Sequence, residues 1–364
     1  MKIVVTGTRG IPNFLGGIET HCEELYPRIV QYGVDIDLIR RSNYVTDTLS
    51  EYKGVRLHNV SSPKNKSFET IIHTLKSVFL AKFRYNADAV HIHAVGPGLV
   101  VPLAKLLGLK VVFTHHGPDY DREKWGGFSK KIIRLGERFA VKFADEVIVI
   151  SQVIKDLIEN KYKRIDSHLI YNGVPTPRII ETTDYLTSLG VESCKYVFAM
   201  GRFVPEKNFH QLIEAFSKLD NIGYKLVLAG DADFNDAYSK GLKQQAKEGG
   251  VILTGFVKGN KLYELLSHAA CFVLPSSHEG LPIALLEAMS YGLPAVVSDI
   301  PANLEVGLPD SDYFKVGDAN HLSEVLRRKL EEIALNPRIA YDMTKYKWDT
   351  IAEQTVEVYE RLDG

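Results

Sequence analysis

Cys271-Phe272-Val273-Leu274-Pro275-Ser276-Ser277-His278-Glu279-Gly280-Leu281-Pro282-Ile283-Ala284-Leu285-Leu286-Glu287-Ala288-Met289 decides the fold. Four apolar residues stop at a proline, a short polar loop follows, and a second apolar run starts after Pro282. Strand, loop and helix in that order are the unit of a parallel sheet covered by helices. Working outward, the same unit recurs. The second half has candidate strands at Tyr196–Met200, Lys225–Ala229, Val251–Leu253, Cys271–Leu274 and Ala295–Ser298. The first half has them at Lys2–Thr6, Asp35–Ile39, Ala89–His93, Lys110–Thr114, Glu146–Ile150 and His168–Ile170. Between the two sets, Gly173-Val174-Pro175-Thr176-Pro177 reads as a linker, because two prolines fix the backbone and remove donors. The expected architecture is α/β, with two doubly wound Rossmann-like domains facing across a cleft. Residues 1–175 form the first, residues 190–340 the second, and residues 341–364 a closing helical segment whose apolar positions are Ile351, Val356, Val358, Tyr359 and Leu362.

A length of 364 residues suits two hydrophobic cores, and 45% hydrophobic with 24% charged residues is ordinary for a globular protein. The net charge of −1 hides an asymmetry. Residues 1–180 hold 26 Lys+Arg against 18 Asp+Glu, and residues 181–364 hold 18 against 27. A basic half can meet a nucleic acid, an anionic membrane or a phosphorylated substrate. No nucleic-acid-binding motif accompanies it. Cys22, Cys194 and Cys271 are odd in number and far apart, so buried reduced thiols are expected, with no His/Cys cluster at metal spacing. Met1–Gly7 is too short an apolar run for a signal peptide, and prolines, glycines and Lys105 interrupt Ala94–Leu109, so a cytoplasmic location is expected.

In doubly wound sheets the loops after the carboxyl ends of strands line the ligand crevice. That rule selects four stretches. Gly201-Arg202-Phe203-Val204-Pro205-Glu206-Lys207-Asn208 brings two cations to one loop, a fit for a diphosphate leaving group. In the opening stretch, Glu279 stands at the loop edge and Glu287 a little over two turns into the helix. Glu287 sits in an apolar setting where a carboxylate needs hydroxyl or N–H partners. Gly7-Thr8-Arg9-Gly10 through Gly16-Gly17-Ile18-Glu19-Thr20 is a glycine-bearing loop entering a helix, suited to a phosphate, yet it is not G-x-G-x-x-G. Thr114-His115-His116-Gly117 places a histidine after the fourth strand. His91 and His93 alternate on one strand and read as structural, partly buried residues. Asp231-Ala232-Asp233 spells D-x-D but reads as a solvated loop.

Glu279-x7-Glu287, preceded by Gly201-Arg202 and Glu206-Lys207-Asn208, resembles the retaining GT-B glycosyltransferases over essentially the whole chain. The resemblance implies sugar transfer from a nucleotide-diphosphate sugar with retention. Arg202 and Lys207 would hold the diphosphate, Glu279 the transferred sugar and Glu287 the ribose. Gly16 and Gly17 would let the first loop close over the phosphates, Phe256 and Val257 would pass the base, and His116 would match the active-site histidine. Where the family often has glycine this chain has Pro282, which cannot donate, leaving the amides of Ile283 and Ala284. Gly7–Pro12, Gly16–Thr20 and Gly117–Gly127 look like the bacterial rhamnosyltransferase-like branch of surface-polysaccharide assembly. Asp119, Arg122, Lys124 and Trp125 would then meet the acceptor, a glycan or a polyprenyl-diphosphate-linked glycan. No cofactor and no metal ion are expected. A nucleotide-sugar 2-epimerase on the same scaffold is the other enzymatic reading. Peripheral membrane contact at the inner face of the cell membrane is expected from Lys76, Lys82 and Arg84 beside Leu75, Val78, Phe79 and Leu80. A second such cluster is Lys130, Lys131, Arg134, Arg138 and Lys142 beside Ile132, Ile133, Leu135, Phe139 and Val141.

Overall fold

The computed structural model describes residues 1–14, 16–63, 69–118, 120, 126–219, 223–232, 236–333 and 337–363. They form two compact units, Met1–Gly173 with Thr344–Gly364, and Val174–Met343.

The first unit is built on strands β1 (Lys2–Thr6), β2 (Asp35–Arg41), β3 (Glu51–Tyr52), β4 (Val55–Val60), β5 (Ala89–His93), β6 (Lys110–His115), β7 (Glu146–Val149) and β8 (His168–Leu169). They lie in the order β3-β4-β2-β1-β5-β6-β7-β8, and every pairing is parallel except β3 with β4. Helices α1 (Gly17–Gln31), α2 (Glu69–Phe83), α3 (Val101–Leu106), α4 (Gly127–Phe143) and α5 (Gln152–Tyr162) connect them. Central strands such as β5 are buried along their whole length, because a parallel sheet is covered on both faces.

The second unit repeats the plan. Strands β9 (Tyr196–Met200), β10 (Lys225–Ala229), β11 (Ile252–Gly255), β12 (Cys271–Leu274), β13 (Ala295–Ser298) and β14 (Tyr313–Phe314) form one parallel sheet in the order β11-β10-β9-β12-β13-β14. Its helices are α6 (Asp184–Ser188), α7 (Phe209–Ser217), α8 (Ala237–Glu248), α9 (Asn260–His268), α10 (Ile283–Ser290), α11 (Pro301–Leu304) and α12 (Ala319–Ile333).

In each unit one strand lies between two strands that both follow it in sequence, the next strand on one side and a later one on the other. β1 lies between β2 and β5, and β9 lies between β10 and β12. These are the two topological switch points, where connections leave the sheet on opposite sides and the carboxyl-end loops part.

The last helix, α13 (Trp348–Glu360), belongs to the first unit. Trp348, Ile351, Ala352, Val356, Val358 and Tyr359 join the core made by Leu25, Tyr26 and Ile29 of α1 and by Ile3 and Val5 of β1. Trp348 packs on bare backbone, since a Cβ on Gly173 would lie 2.5 Å from its ring.

Several local expectations need correction. β3, β4 and β14 were not expected. Cys194 is exposed, while Cys22 and Cys271 are buried. α10 starts at Ile283, so Glu287 stands in its second turn. His91 and His93 are completely buried. Among the described residues no helix is long and apolar enough to cross a membrane.

Ile351 is fully buried at the contact between α13 and α1. Ile351→Ala is expected to lower the unfolding free energy by roughly 2–5 kcal/mol through lost burial and a residual cavity. Urea denaturation checks this, and a loss under about 0.5 kcal/mol would show that α13 is not part of the cooperative core.

Candidate functional site

In the second unit the loops after β9 and β12 are laced together. Ser277 donates its backbone N–H to the Glu206 carbonyl at 2.9 Å, and Asn208 Nδ2 donates to the Pro275 carbonyl at 3.1 Å. Asn208 holds a left-handed φ of 50°, which turns the chain from the loop into α7. This lacing brings together residues 72 positions apart. Lys207 Nζ lies 2.5 Å from Glu279 Oε1, with side chains only 18% and 12% exposed. A partly desolvated ion pair of this kind fixes both groups in one geometry. Arg202 is partly buried on the same loop, one residue past the switch-point glycine, Gly201.

Glu287 is partly exposed on α10. The first two amides of that helix, Ile283 and Ala284, precede any intrahelical acceptor, while those of Leu285 and Leu286 already turn back to the Pro282 carbonyl. A helix end with outward amides favours an anion. Phe256 and Val257 follow the edge strand β11, two strands from β9; Phe256 is 51% exposed, with the Lys258 ammonium 5.5 Å from its ring centre. Asp231 of the D-x-D stretch pairs with Lys243 at 2.7 Å, and Asp233 lies outside the described residues.

In the first unit the glycine loop is clamped from within. Glu19 is buried on α1 and accepts from the Arg9 backbone N–H at 3.1 Å and from Thr8 Oγ1 at 3.4 Å. Its Oε2 would lie 2.0 Å from a Cβ on Gly16, whose φ is 144°, so only glycine fits there. Gly17 opens α1 and is exposed. Gly7, with φ 97°, passes so near β5 that a Cβ would lie 2.1 Å from the His93 carbonyl oxygen.

His116 follows β6 and is partly buried. Its Nε2 lies 2.9 Å from His93 Nδ1, and His93 Nε2 bonds to the Tyr26 hydroxyl. That hydroxyl lies 3.0 Å from His91 Nδ1, which is also 2.6 Å from the Tyr359 hydroxyl of α13. His21, on α1, bonds through Nδ1 to Asn172 Oδ1 at 3.0 Å, with its ring edge-on to both His116 and Trp348. Burial disfavours the imidazolium form of all four histidines. It lowers His21 to about 4 and His91 to about 3, and holds His93 and His116 well below the ordinary value, helped there by neighbouring histidines. The sequence holds no His/Cys cluster at metal spacing, and the fold nonetheless gathers three histidines. Residues 21, 93 and 116 come from three elements and share no spacing. The available signal was register: His93 pairs with Thr114, which puts His116 beside it.

His115 faces the other way. The Gly117 N–H donates to its Nδ1, so Nε2 carries the hydrogen that it gives to Glu137 Oε1 at 3.0 Å. Glu137, wholly buried on α4, also accepts from Tyr120 at 3.0 Å, Lys161 at 2.5 Å and Tyr162 at 2.6 Å. Burial alone would raise its pKa. The hydrogen bonds given by His115, Lys161 and Tyr162 outweigh burial and hold it at about 2. This network anchors both ends of the segment from His115 to Tyr120. Asp119, Arg122, Lys124 and Trp125 lie outside the described residues.

Two doubly wound parallel sheets, each with its polar residues at the carboxyl edge, define the GT-B class of fold. Comparison with known proteins gives the family. Residues 188–346 match the model of the glycosyl transferases group 1, and residues 15–178 match that of glycosyltransferase family 4. An uncharacterised glycosyltransferase of Methanocaldococcus jannaschii is 27% identical over 99% of this chain and 98% of its own length. The UDP-Gal:α-D-GlcNAc-diphosphoundecaprenol α-1,3-galactosyltransferase of Escherichia coli is 28% identical over 92% and 90%. HepE of Anabaena, solved in complex with UDP-glucose, superposes with a TM-score of 0.81 at 20% identity, covering 99% of this chain and 100% of that one. The chain belongs to the group 1 glycosyltransferases and is related to enzymes that build surface polysaccharides.

Glu137 has a depressed folded-state pKa, so its stabilising contribution is complete above the ordinary carboxyl value of 4.5 and is lost as pH falls toward about 2. Glu137→Gln is expected to cost about 1–3 kcal/mol at neutral pH, the scale of lost charge-assisted hydrogen bonds. The gap between wild type and variant should close below pH 4.5. Denaturant titrations at a series of pH values measure it, and a constant gap would remove the ionised carboxylate as its source.

Proposed function

We propose that the protein transfers a hexosyl or deoxyhexosyl group, with retention, from a nucleotide-diphosphate sugar to a glycan or polyprenyl-diphosphate-linked acceptor in bacterial surface-polysaccharide synthesis. The observation that carries this reading is the Lys207–Glu279 pair at the β9/β12 switch point, where doubly wound sheets bind their ligands. Breaking the bond from sugar to diphosphate builds positive charge at the anomeric carbon and negative charge on the leaving group. Lys207 and Arg202 stabilise the departing diphosphate, assisted by the Ile283 and Ala284 amides. Glu279, held in place by Lys207, contacts the transferred sugar, and Glu287 accepts hydrogen bonds from the ribose. Gly16 and Gly17 admit the phosphates, Phe256 and Val257 pass the base, and His116 is the catalytic group of the first unit. No metal is assigned to the reaction, because the two cations supply the charge. The UDP-glucose complex of HepE and the lipid-diphosphate acceptor of the Escherichia coli relative support donor and acceptor of these classes. The branch resembling rhamnosyltransferases supports a deoxyhexose.

Arg202→Ala and Lys207→Ala are each expected to lower kcat/KM by roughly 10²–10³-fold, the scale of losing one preorganised donor to the transition state. Glu287→Ala should weaken binding of the free nucleoside diphosphate, and Glu279→Ala should spare it. Thermal shift against UDP, GDP, dTDP and ADP, with and without sugar, reads both. Near-normal turnover in both cation variants would remove the diphosphate assignment.

The acceptor class brings the enzyme to the inner face of the cell membrane. Part of the expected apolar stripe is core, since Val78, Ile133 and Val141 are buried. Leu75, Phe79 and Phe83 of α2 and Phe128, Leu135 and Phe143 of α4 remain exposed, Phe83 at 69% and Phe128 at 74%. They stand beside Lys76, Lys82, Lys130, Lys131 and Lys142, a composition suited to an anionic interface. Co-sedimentation with liposomes should rise with anionic lipid, fall with salt, and weaken when Lys130, Lys131 and Arg134 become Ser. Equal partitioning to neutral and anionic vesicles would leave an acceptor met in solution.

A further inference from the structure

We propose that His21, His93 and His116 bind a divalent transition-metal ion of the zinc type, and that the bound ion withdraws His116 from sugar transfer. Among the described residues these three histidines form the group able to hold a metal, with one ligand nitrogen from each lying within 4.8 Å of the others. Three histidines are a zinc-binding set in which a water or substrate takes the fourth position, and imidazole suits copper and nickel too.

The hydrogen bonds around the cluster are those that histidine ligands use. Asn172 Oδ1 can only accept, so His21 Nδ1 carries the hydrogen and Nε2 keeps a lone pair. The Tyr26 hydroxyl holds His93 Nε2, leaving Nδ1 on the side of His116. A partner on the far nitrogen fixes tautomer and ring orientation in metal sites. His93 Nδ1 and His116 Nε2 now share one hydrogen across 2.9 Å. Zinc-to-nitrogen bonds of ~2.0–2.1 Å set tetrahedral ligand nitrogens about 3.3 Å apart. The pair must therefore open slightly, and the shared hydrogen must move to the other nitrogen of its own ring. His116 Nδ1 can take it, and His93 Nε2 can take it once the Tyr26 hydroxyl turns its own hydrogen to His91 Nδ1, so the change needs no proton from elsewhere. The buried rings of His21 and His93 come from α1 and β5, two elements fixed in the core, so the more exposed His116 is the ligand that moves.

The inhibitory half rests on the role proposed for His116; the binding half does not. Full-length, tag-free protein is titrated with Zn²⁺ by calorimetry and with Co²⁺ by visible absorption. The expected result is a single ion per chain, with the intense bands of nitrogen-ligated tetrahedral Co²⁺. His21→Asn should abolish those bands. Asn172→Ala, which keeps all three ligands, should weaken binding by roughly 10–100-fold, the usual cost of removing the group that orients a ligand. Circular dichroism confirms that both variants are folded. In the transfer assay Zn²⁺ should inhibit wild type and a chelator restore it, while His21→Asn keeps its basal rate and loses the sensitivity. Absence of binding to wild type, or equal affinity in wild type and both variants, overturns the site. Binding that leaves turnover untouched overturns the inhibition. A protein inactive with every donor tried, yet binding Co²⁺ as described, would count against the proposed function and not against the site.

Discussion

Strand order is the constraint on which the rest depends. Once β9 lies between β10 and β12, the connections on its two sides leave the sheet in opposite directions, and no helix can cover the gap above its carboxyl end. The loops at that gap must satisfy their own polar groups. They do so by bonding to each other, Glu206 to Ser277 and Asn208 to Pro275. Lys207 and Glu279 meet because the backbones on either side of them are already tied. The ion pair is thus a result of the fold more than a cause of it.

Both units meet the same geometric problem with different chemistry. The second answers with charge, a cation and a carboxylate that each depend on the other. The first answers with neutral aromatic and imidazole groups joined from His116 through His93 and Tyr26 to His91 and Tyr359. A buried chain of this kind is inexpensive to desolvate while it stays uncharged. Each member can donate from one atom and accept at another, so the chain is joined end to end without a formal charge in the core.

The sheets were legible in the sequence because parallel strands are buried on both faces and appear as short apolar runs. Lys2–Thr6, Ala89–His93, Tyr196–Met200 and Cys271–Leu274 have the limits that the sequence suggests. β4 escaped notice for a physical reason. Arg56 and His58 alternate with its apolar residues, and both hydrogen-bond to Asp37 of the neighbouring strand, so its polarity is satisfied only after the sheet exists. The cation and carboxylate of the second unit were legible because each sits just past a strand. The histidine cluster was not, since it depends on the pairing of β5 with β6 and on where α1 lands. Glu19 and Glu137 were also passed over: a buried carboxylate inside a helix looks like any surface glutamate until its donors arrive from distant loops.

The chain crosses into the second unit at Val174 and returns at Thr344. That return has a consequence for how the molecule is made. On a ribosome the second unit is contiguous and can finish folding as soon as it emerges. The first unit, although synthesised first, lacks the share of its core that Trp348, Ile351, Val356 and Tyr359 supply until α13 arrives. The usual order, in which the amino-terminal domain completes itself first, is reversed here. Through that interval the nascent protein carries an open apolar surface, which a holding chaperone would cover and which a stalled or shortened transcript would leave permanently exposed.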